Sequence, residues 1–145
     1  MTNEQFWKKL DKIASKKQTP ERTKEFLEVL KQGCRQQLDI LVLGIENENN
    51  TFNQNCAIHD NKKIMLYFTS KQRAKDSKFT LPAIFAVKPE CIQVSCVAVI
   101  KNAFKKDEVE AIAFNYESKY PYIIPKMFLL FSFMADADKF GLFEE

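Results

Sequence analysis

A cysteine and a histidine at the spacing of half a metal site are the first residues that suggest chemistry. Cys56 and His59 form a Cys-x-x-His pair, and His59 is the only histidine in the chain. No second pair follows at the spacing of a zinc site. Residues three apart in a strand point to opposite faces of a sheet, so the pair is also a poor nucleophile and base. We expect an ordinary strand or loop here, and no metal centre.

Other motifs of catalytic chemistry are missing from the sequence. Phosphate-binding loops need closely spaced glycines, and the whole chain contains three. The nucleophile elbow Gly-x-Ser-x-Gly does not occur. The adjacent acids Asp107 and Glu108 lie in a charged turn, where solvated carboxylates are expected. The sequence therefore predicts a protein that is not an enzyme and has no catalytic residues and no cofactor.

A basic segment, Lys62–Lys78, is the clearest candidate for binding a charged ligand. Its basic residues are Lys62, Lys63, Lys71, Arg73, Lys75 and Lys78. Tyr67 and Phe68 lie among them, and such aromatic rings can stack on the bases of single-stranded nucleic acid. The alternative is that both rings pack in a sheet and the lysines form a solvated rim. The net charge of +3 is weaker than nucleic-acid binders usually show.

Residues 1–35 are predicted to form a pair of helices. The first is capped by Thr2 or Asn3 and runs to about Lys17, with an apolar stripe at helical spacing. Thr19-Pro20-Glu21 is a good start for the second helix, because it supplies a capping hydroxyl, a proline at the first turn and an acid near the positive end. Gly33 marks its expected end.

Residues 36–133 are predicted to form an α/β body. Strands are expected at 38–45, 56–59, 63–68, 81–87 and 109–114, with a loop over 46–55 and a short helix over 70–77. The composition of 91–104 favours a strand, whereas its spacing and length favour a helix. Residues 126–133 form either a last buried helix beginning at Pro125 or a final strand, and helix is favoured for both stretches.

These elements predict one α+β domain over 1–145, with a mixed sheet of about five strands, the two N-terminal helices and further helices packed on the sheet faces. An acidic, aromatic tail at 134–145 either packs on the body or docks a basic partner. The chain has thirteen phenylalanines, which predict a bulky core or a core plus an apolar contact surface. The expected core includes Trp7, Phe26, Leu27, Leu41, Leu43, Leu66, Phe85, Ile112 and Phe114.

Cysteine usage and the N-terminus predict a cytoplasmic protein. Cys34, Cys56, Cys91 and Cys96 contain no Cys-x-x-Cys pair, so we expect free, mostly buried thiols. The N-terminus is polar and lacks the apolar centre of a signal peptide. No apolar stretch reaches the ~20 residues that cross a bilayer, so no membrane partner is expected.

Two stretches resemble the N-terminal domain of SseB-like proteins. In KKIMLYFTSKQRAK a strand ends in Phe68-Thr69-Ser70 and a helix follows, as in that family. CVAVIKNAFKKDEVEAIAFNYES is similar to the family's helix, charged turn and strand ending in Asn-Pro; Asn115 matches and Tyr116 replaces the proline. YIIPK resembles the link into the last helix, and the resemblance spans about Gln37 to Met127. It implies a small, non-enzymatic bacterial α/β domain, associated with serine sensitivity and with secretion and toxin–immunity neighbourhoods.

The same residues define a candidate binding crevice: Phe68, Thr69, Ser70, Arg73, Asn115 and Tyr116. If their two strands are parallel neighbours, both carboxyl ends meet at the sheet edge where open α/β sheets bind ligands. Helix N–H groups and Arg73 would then suit an anionic group. Alternatively, Thr69 and Ser70 only cap the helix and Asn115 only satisfies a turn.

The sequence thus predicts a non-catalytic binding domain that acts through protein contacts, of a regulatory or immunity type. Nucleic-acid or nucleotide binding by Lys62–Lys78 is the alternative.

Overall fold

The computed structural model describes residues 1–46, 52–77 and 89–143, and the fold in these residues is α+β. The helices are α1 (Asn3–Ala14), α2 (Pro20–Arg35), α3 (Lys71–Asp76), α4 (Cys96–Lys105), α5 (Lys126–Phe133) and α6 (Ala137–Phe140), with a 3-10 turn at Met134–Asp136. The strands are β1 (Asp39–Glu46), β2 (Phe52–Gln54), β3 (Cys56–His59), β4 (Lys62–Tyr67), β5 (Glu90–Ser95), β6 (Val109–Phe114) and β7 (Tyr122–Pro125).

The described strands form two sheets, where the sequence predicted one of about five strands. One sheet has the order β2-β1-β5 and is antiparallel throughout. The other has the order β3-β4-β6-β7, in which β4 and β6 are parallel and the outer pairs antiparallel. A single bridge between Leu41 and Phe68 joins the two sheets. The prediction of a mixed sheet, with both parallel and antiparallel pairs, is confirmed for the four-stranded sheet. The pairing of β5 with β1 was not predicted, because these strands are about fifty residues apart in the sequence and no local pattern specifies such a partner.

Both N-terminal helices begin where the sequence predicts. Thr2 and Gln5 form a capping box on α1, and the Thr19 side chain accepts a hydrogen bond from the backbone N–H of Arg22. The prediction that α2 ends at Gly33 was wrong, because α2 continues to Arg35. Gly33 is instead buried against the Phe6 ring, and the chain leaves the helix at Gln37, which has a φ of 55°.

The ambiguous stretch 91–104 contains both a strand and a helix. β5 ends at Ser95, whose side chain then caps α4 by accepting a hydrogen bond from the backbone N–H of Ala98. The helical spacing was therefore a real signal for the second half. The β-branched residues did not separate the halves, because Ile92 and Val94 lie in β5 and Val97, Val99 and Ile100 in α4. Residues 126–133 are helical, as favoured. The short strands β2 and β7 lie in stretches predicted as loop and link, and the strand predicted at 81–87 lies outside the described residues.

The core is aromatic where α2 covers the four-stranded sheet. The Phe26 ring packs edge-on against Phe114 at 4.8 Å and tilted against Tyr122 at 5.3 Å, and Tyr67 lies 5.6 Å from Phe114. Eight of the nine predicted core residues are buried, and the ninth, Phe85, lies outside the described residues. The tail packs on the body, since Ala137 and Leu142 are buried.

Two side chains attach the end of α1 to β7. The Tyr122 hydroxyl lies 2.9 Å from the carbonyl oxygen of Ile13 and 2.8 Å from that of Lys16, and its single proton is shared between these two acceptors. The Gln18 side chain pairs with the backbone of Ile123 through both its amide nitrogen and its oxygen. The helical pair is thus hydrogen-bonded to a strand more than a hundred residues away.

None of the helices in the described ranges has the length and apolar character needed to cross a bilayer.

Candidate functional site

The structure brings together the two chain segments of the predicted crevice. β4 and β6 are parallel neighbours with Tyr67 paired to Phe114, so Phe68 and Asn115 leave the sheet at the same edge. Ser70 is the N-cap of α3, and its side chain accepts a hydrogen bond from the backbone N–H of Arg73 at 3.1 Å. The sequence therefore predicted the position of this edge correctly.

Thr69 and Asn115 bind one another across that edge. The backbone N–H of Thr69 donates to Asn115 Oδ1 at 3.1 Å, and Asn115 Nδ2 donates to Thr69 Oγ1 at 2.9 Å. Both residues are buried, at 1% and 2% exposure. Their polar groups are consequently directed at the protein itself and not into an open ligand site.

Asp11 of α1 extends this pair into a network. Its Oδ1 accepts a hydrogen bond from Thr69 Oγ1 at 2.5 Å and another from Arg73 Nε at 2.6 Å. Arg73 and Asp11 are about one-third exposed, so the ion pair is partly screened by solvent. Asp11 was not singled out from the sequence, because it is 58 residues from Thr69 in the chain. The guanidinium of Arg73 thus holds α1 in place and has a carboxylate partner already.

A small cleft of about 280 Å³ remains beside this network. Phe68, Arg73 and Asn115 line it, together with Asp76, Ser77, Glu117, Ser118 and Lys119. Two basic and two acidic side chains face it, so its charge favours neither anions nor cations. Tyr116 is 38% exposed and lies on the turn that follows β6, outside this lining.

The basic segment Lys62–Lys78 does not form one continuous surface in the described residues. Lys62 and Lys63 begin β4, whereas Lys71, Arg73 and Lys75 follow its other end, about 17 Å away for a six-residue strand. The aromatic rings of Tyr67 and Phe68 are buried, at 1% and 4% exposure, and cannot stack on bases. Burial raises the pKa of Tyr67 to about 12, although its hydrogen bond with Gln54 opposes the shift. Lys78 itself lies outside the described residues.

An exposed apolar surface on α5 is the feature that the sequence analysis missed. α5 is apolar on every side, and only Leu129 and Phe133 are buried among its residues. Met127, Phe128 and Phe131 are 62%, 55% and 76% exposed, and Met134 in the next turn is 56% exposed. The sequence predicted a buried helix here. A helix that packs on a core needs only one apolar stripe. The apolar residues on every side of α5 were therefore the sequence signal that could have indicated an exposed apolar surface.

A groove runs between this surface and the start of α2. It has a volume of about 620 Å³, and its apolar walls are Pro20, Leu27, Phe128 and Phe131. Lys24 is the only charged residue among the described residues that line it. We refer to this feature as the α2–α5 groove. It is more than twice as large as the cleft beside Arg73 and is predominantly apolar.

Comparisons of the chain with protein-family models, with curated proteins and with solved structures gave no match. The resemblance to the SseB-like domain therefore rests on the short motifs that end β4 and β6.

Proposed function

We propose that the protein is a non-catalytic binding domain that holds an amphipathic helix of another protein in the α2–α5 groove. The exposed apolar surface of α5 carries this proposal. Met127, Phe131 and Met134 lie at helical spacing on the solvent side, beside the exposed Phe128. Contiguous exposed apolar surface of this kind typically marks a contact with another protein.

The shape of the groove favours a helical partner. Side chains of α2 and α5 wall the groove, and apolar side chains at positions i, i+3 or i+4 and i+7 of a third helix can insert into an apolar groove of this kind. The ring of Phe131 is the most exposed of the large apolar groups on α5. Covering it would remove apolar area from water at roughly 25 cal/mol per Å². We therefore expect Phe131 to contribute much of the affinity.

The charge of the groove favours an acidic partner. Lys24 stands on its rim without an acidic residue among the described lining residues. A carboxylate next to the apolar anchors of the partner would pair with Lys24 and fix the orientation of the bound helix. The predicted occupant is therefore an amphipathic helix with apolar anchors and an acidic flank.

The SseB-like resemblance and a regulatory or immunity role are part of this proposal. They are supported by the Phe68-Thr69-Ser70 strand end, the helix that follows it, and the parallel strand ending at Asn115.

The test compares the wild-type protein with four variants, Phe131→Glu, Lys24→Glu, Tyr116→Ala and the control Ile58→Glu. Proteins that co-purify with the wild type from the source cell are identified, and the amphipathic segment of each is synthesised as a peptide for calorimetry. Phe131→Glu should weaken binding by at least ~30-fold, the effect of losing a central anchor. Ile58→Glu is the matched control, because Ile58 is 71% exposed on β3 and outside the groove. Lys24→Glu should weaken binding in a salt-dependent manner.

Equal affinity of Phe131→Glu and wild type would contradict the proposal. Loss of binding in Tyr116→Ala would place the site at the crevice instead. Sedimentation velocity without any partner peptide tests whether the protein self-associates. If it does, and if Phe131→Glu abolishes the self-association, a second copy of the chain fills the groove, and the proposal is overturned.

Nucleic-acid binding has less support, because the rings of Tyr67 and Phe68 are buried and the basic residues lie at both ends of β4. Binding to single-stranded DNA that weakens steeply with salt and survives Phe131→Glu would favour it.

A further inference from the structure

Two buried cysteines lie in contact between α2 and α4. Cys34 is in the last turn of α2 and Cys96 begins α4, and they are 2% and 0% exposed. Their sulfurs are 3.4 Å apart, with the Cys34 thiol donating to Cys96 Sγ. The Cys96 thiol in turn donates to the carbonyl oxygen of Leu30 at 3.5 Å. The other two cysteines are more accessible to solvent, since Cys56 is partly buried and Cys91 is exposed.

We propose that Cys34 and Cys96 form an oxidisable pair that closes to an intramolecular disulfide when the protein meets a low-molecular-weight disulfide. The sulfurs need to approach by roughly 1.3 Å to reach the ~2.05 Å of an S–S bond. Each residue lies at the end of a helix, where small rotations of the side chain supply such a movement. The pair is separate from the α2–α5 groove, so this inference does not depend on the proposed function.

A cleft borders one of the two cysteines, on the side from which we expect the oxidant to approach. It has a volume of about 460 Å³ and is lined by Cys34, Arg35 and Lys139, together with Ser95, Val97 and Phe140. Cys96 does not line it. Cys34 is therefore the thiol that meets the oxidant, and Cys96 is the thiol that resolves the mixed disulfide.

The surroundings of Cys96 agree with this order. The contact with the Cys34 sulfur and its burial both raise the pKa of Cys96 well above the ordinary value of a thiol, so its thiolate is scarce until Cys34 has reacted. Arg35 and Lys139 give the cleft a basic rim, although Arg35 also lies 3.6 Å from Asp136. A peptide disulfide that carries carboxylates matches this rim in charge, and oxidised glutathione is the probe of that class.

The reaction balances in two exchange steps. The Cys34 thiolate attacks one sulfur of the small disulfide, forms a mixed disulfide and releases one small thiol. The Cys96 thiolate then attacks the Cys34 sulfur, and the second small thiol leaves. Both cysteines are oxidised, the small disulfide is reduced to two thiols, and two protons pass from the cysteines to the leaving thiolates.

The disulfide should raise the thermal stability of the protein. It joins residues 62 positions apart, which constrains the unfolded chain strongly. For a domain of this size, the unfolding midpoint should increase by roughly 10 °C.

The experiment follows thiol content, mass and unfolding midpoint of the folded protein during incubation with oxidised glutathione. The double variant Cys56→Ser/Cys91→Ser retains only Cys34 and Cys96. After oxidation, a thiol assay of this variant in denaturant should detect two fewer thiols than before. Its mass should fall by about 2 Da with no glutathione attached, and its unfolding midpoint should rise. Dithiothreitol should reverse all three changes.

Cys34→Ser in that background should leave one thiol and no gain in stability. If that variant does not fold, the result for the double variant decides the question alone. Two thiols that persist in the folded double variant after oxidation, or a stable glutathione adduct without an internal disulfide, would overturn the proposal. A disulfide in the wild type that includes Cys56 or Cys91 would also overturn it.

Discussion

Asn115 has a structural role that combines an unusual backbone conformation with two side-chain hydrogen bonds. Its φ of 55° lies in the left-handed region, which asparagine tolerates better than most residues. From there its side chain reaches both the N–H and the hydroxyl of the buried Thr69. The same residue therefore ends β6, starts a turn and joins the ends of two parallel strands.

The two functions of Asn115 can be separated by substitution. Asn115→Gly keeps the left-handed backbone but leaves the buried N–H of Thr69 unpaired and removes one of the two hydrogen bonds of its hydroxyl, which should cost about 1–3 kcal/mol. Asn115→Ala adds the strain of a left-handed alanine and should cost about 1–2 kcal/mol more. Urea unfolding followed by the fluorescence of Trp7, the only tryptophan, measures both. Equal stability of the two variants would show that the backbone conformation carries no strain.

Tyr67 predicts a loss of stability at alkaline pH. Its pKa is raised from 10 to about 12 in the folded protein, chiefly by burial. The unfolded state therefore ionises first as pH rises, so this contribution is complete below pH 10 and is lost between about pH 10 and 12, up to about 3 kcal/mol. Tyr67→Phe removes the ionisable group, and its free energy of unfolding should fall less over this range in the same urea experiment. Identical pH profiles would mean that Tyr67 ionises equally in both states.

The contact between α1 and α2 depends on a glycine inside a helix. A Cβ at Gly33 would overlap the ring of Phe6, which is fully buried. The sequence placed a helix end here, because glycine follows many helices. In this chain glycine instead allows two helices to approach closely. Helix starts were easier to predict than ends, since Thr2, Thr19 and Ser70 all cap the backbone directly.

Gly33→Ala is accordingly expected to destabilise the protein, although alanine favours helix by about 1 kcal/mol. Overpacking against Phe6 should cost about 1–3 kcal/mol, of which the helix preference of alanine offsets about 1 kcal/mol. Phe6→Leu in the Gly33→Ala background makes room for the methyl group and should recover part of that loss, as a double-mutant cycle in chemical unfolding would show. A Gly33→Ala variant more stable than the wild type would contradict the close approach.

At the scale of the whole molecule, the sequence predicted what local patterns and topological rules specify. The starts of α1, α2, α3 and α5, the strands β1, β3, β4 and β6, and the meeting of Phe68 with Asn115 at one sheet edge were predictable, whereas the start of α4 at Cys96 and the helix α6 were not. The partner of β5 and the role of Asp11 depend on contacts between distant parts of the chain, and neither leaves a local signal. The prediction that α5 is buried was wrong for another reason. Apolar residues favour burial, but the sequence does not show whether they are buried by this chain or by another protein.

The hydrogen bonds between α1 and β7 also bear on how the protein folds as it is synthesised. Tyr122 and Ile123 are synthesised more than a hundred residues after Ile13 and Gln18, their hydrogen-bond partners. At 5–20 residues per second, the helical pair waits about 5–20 s for its strand. During that interval Phe26 lacks the rings of Phe114 and Tyr122 that cover it in the finished protein. The apolar side of the helical pair that packs on the sheet therefore stays uncovered until β6 and β7 have been synthesised.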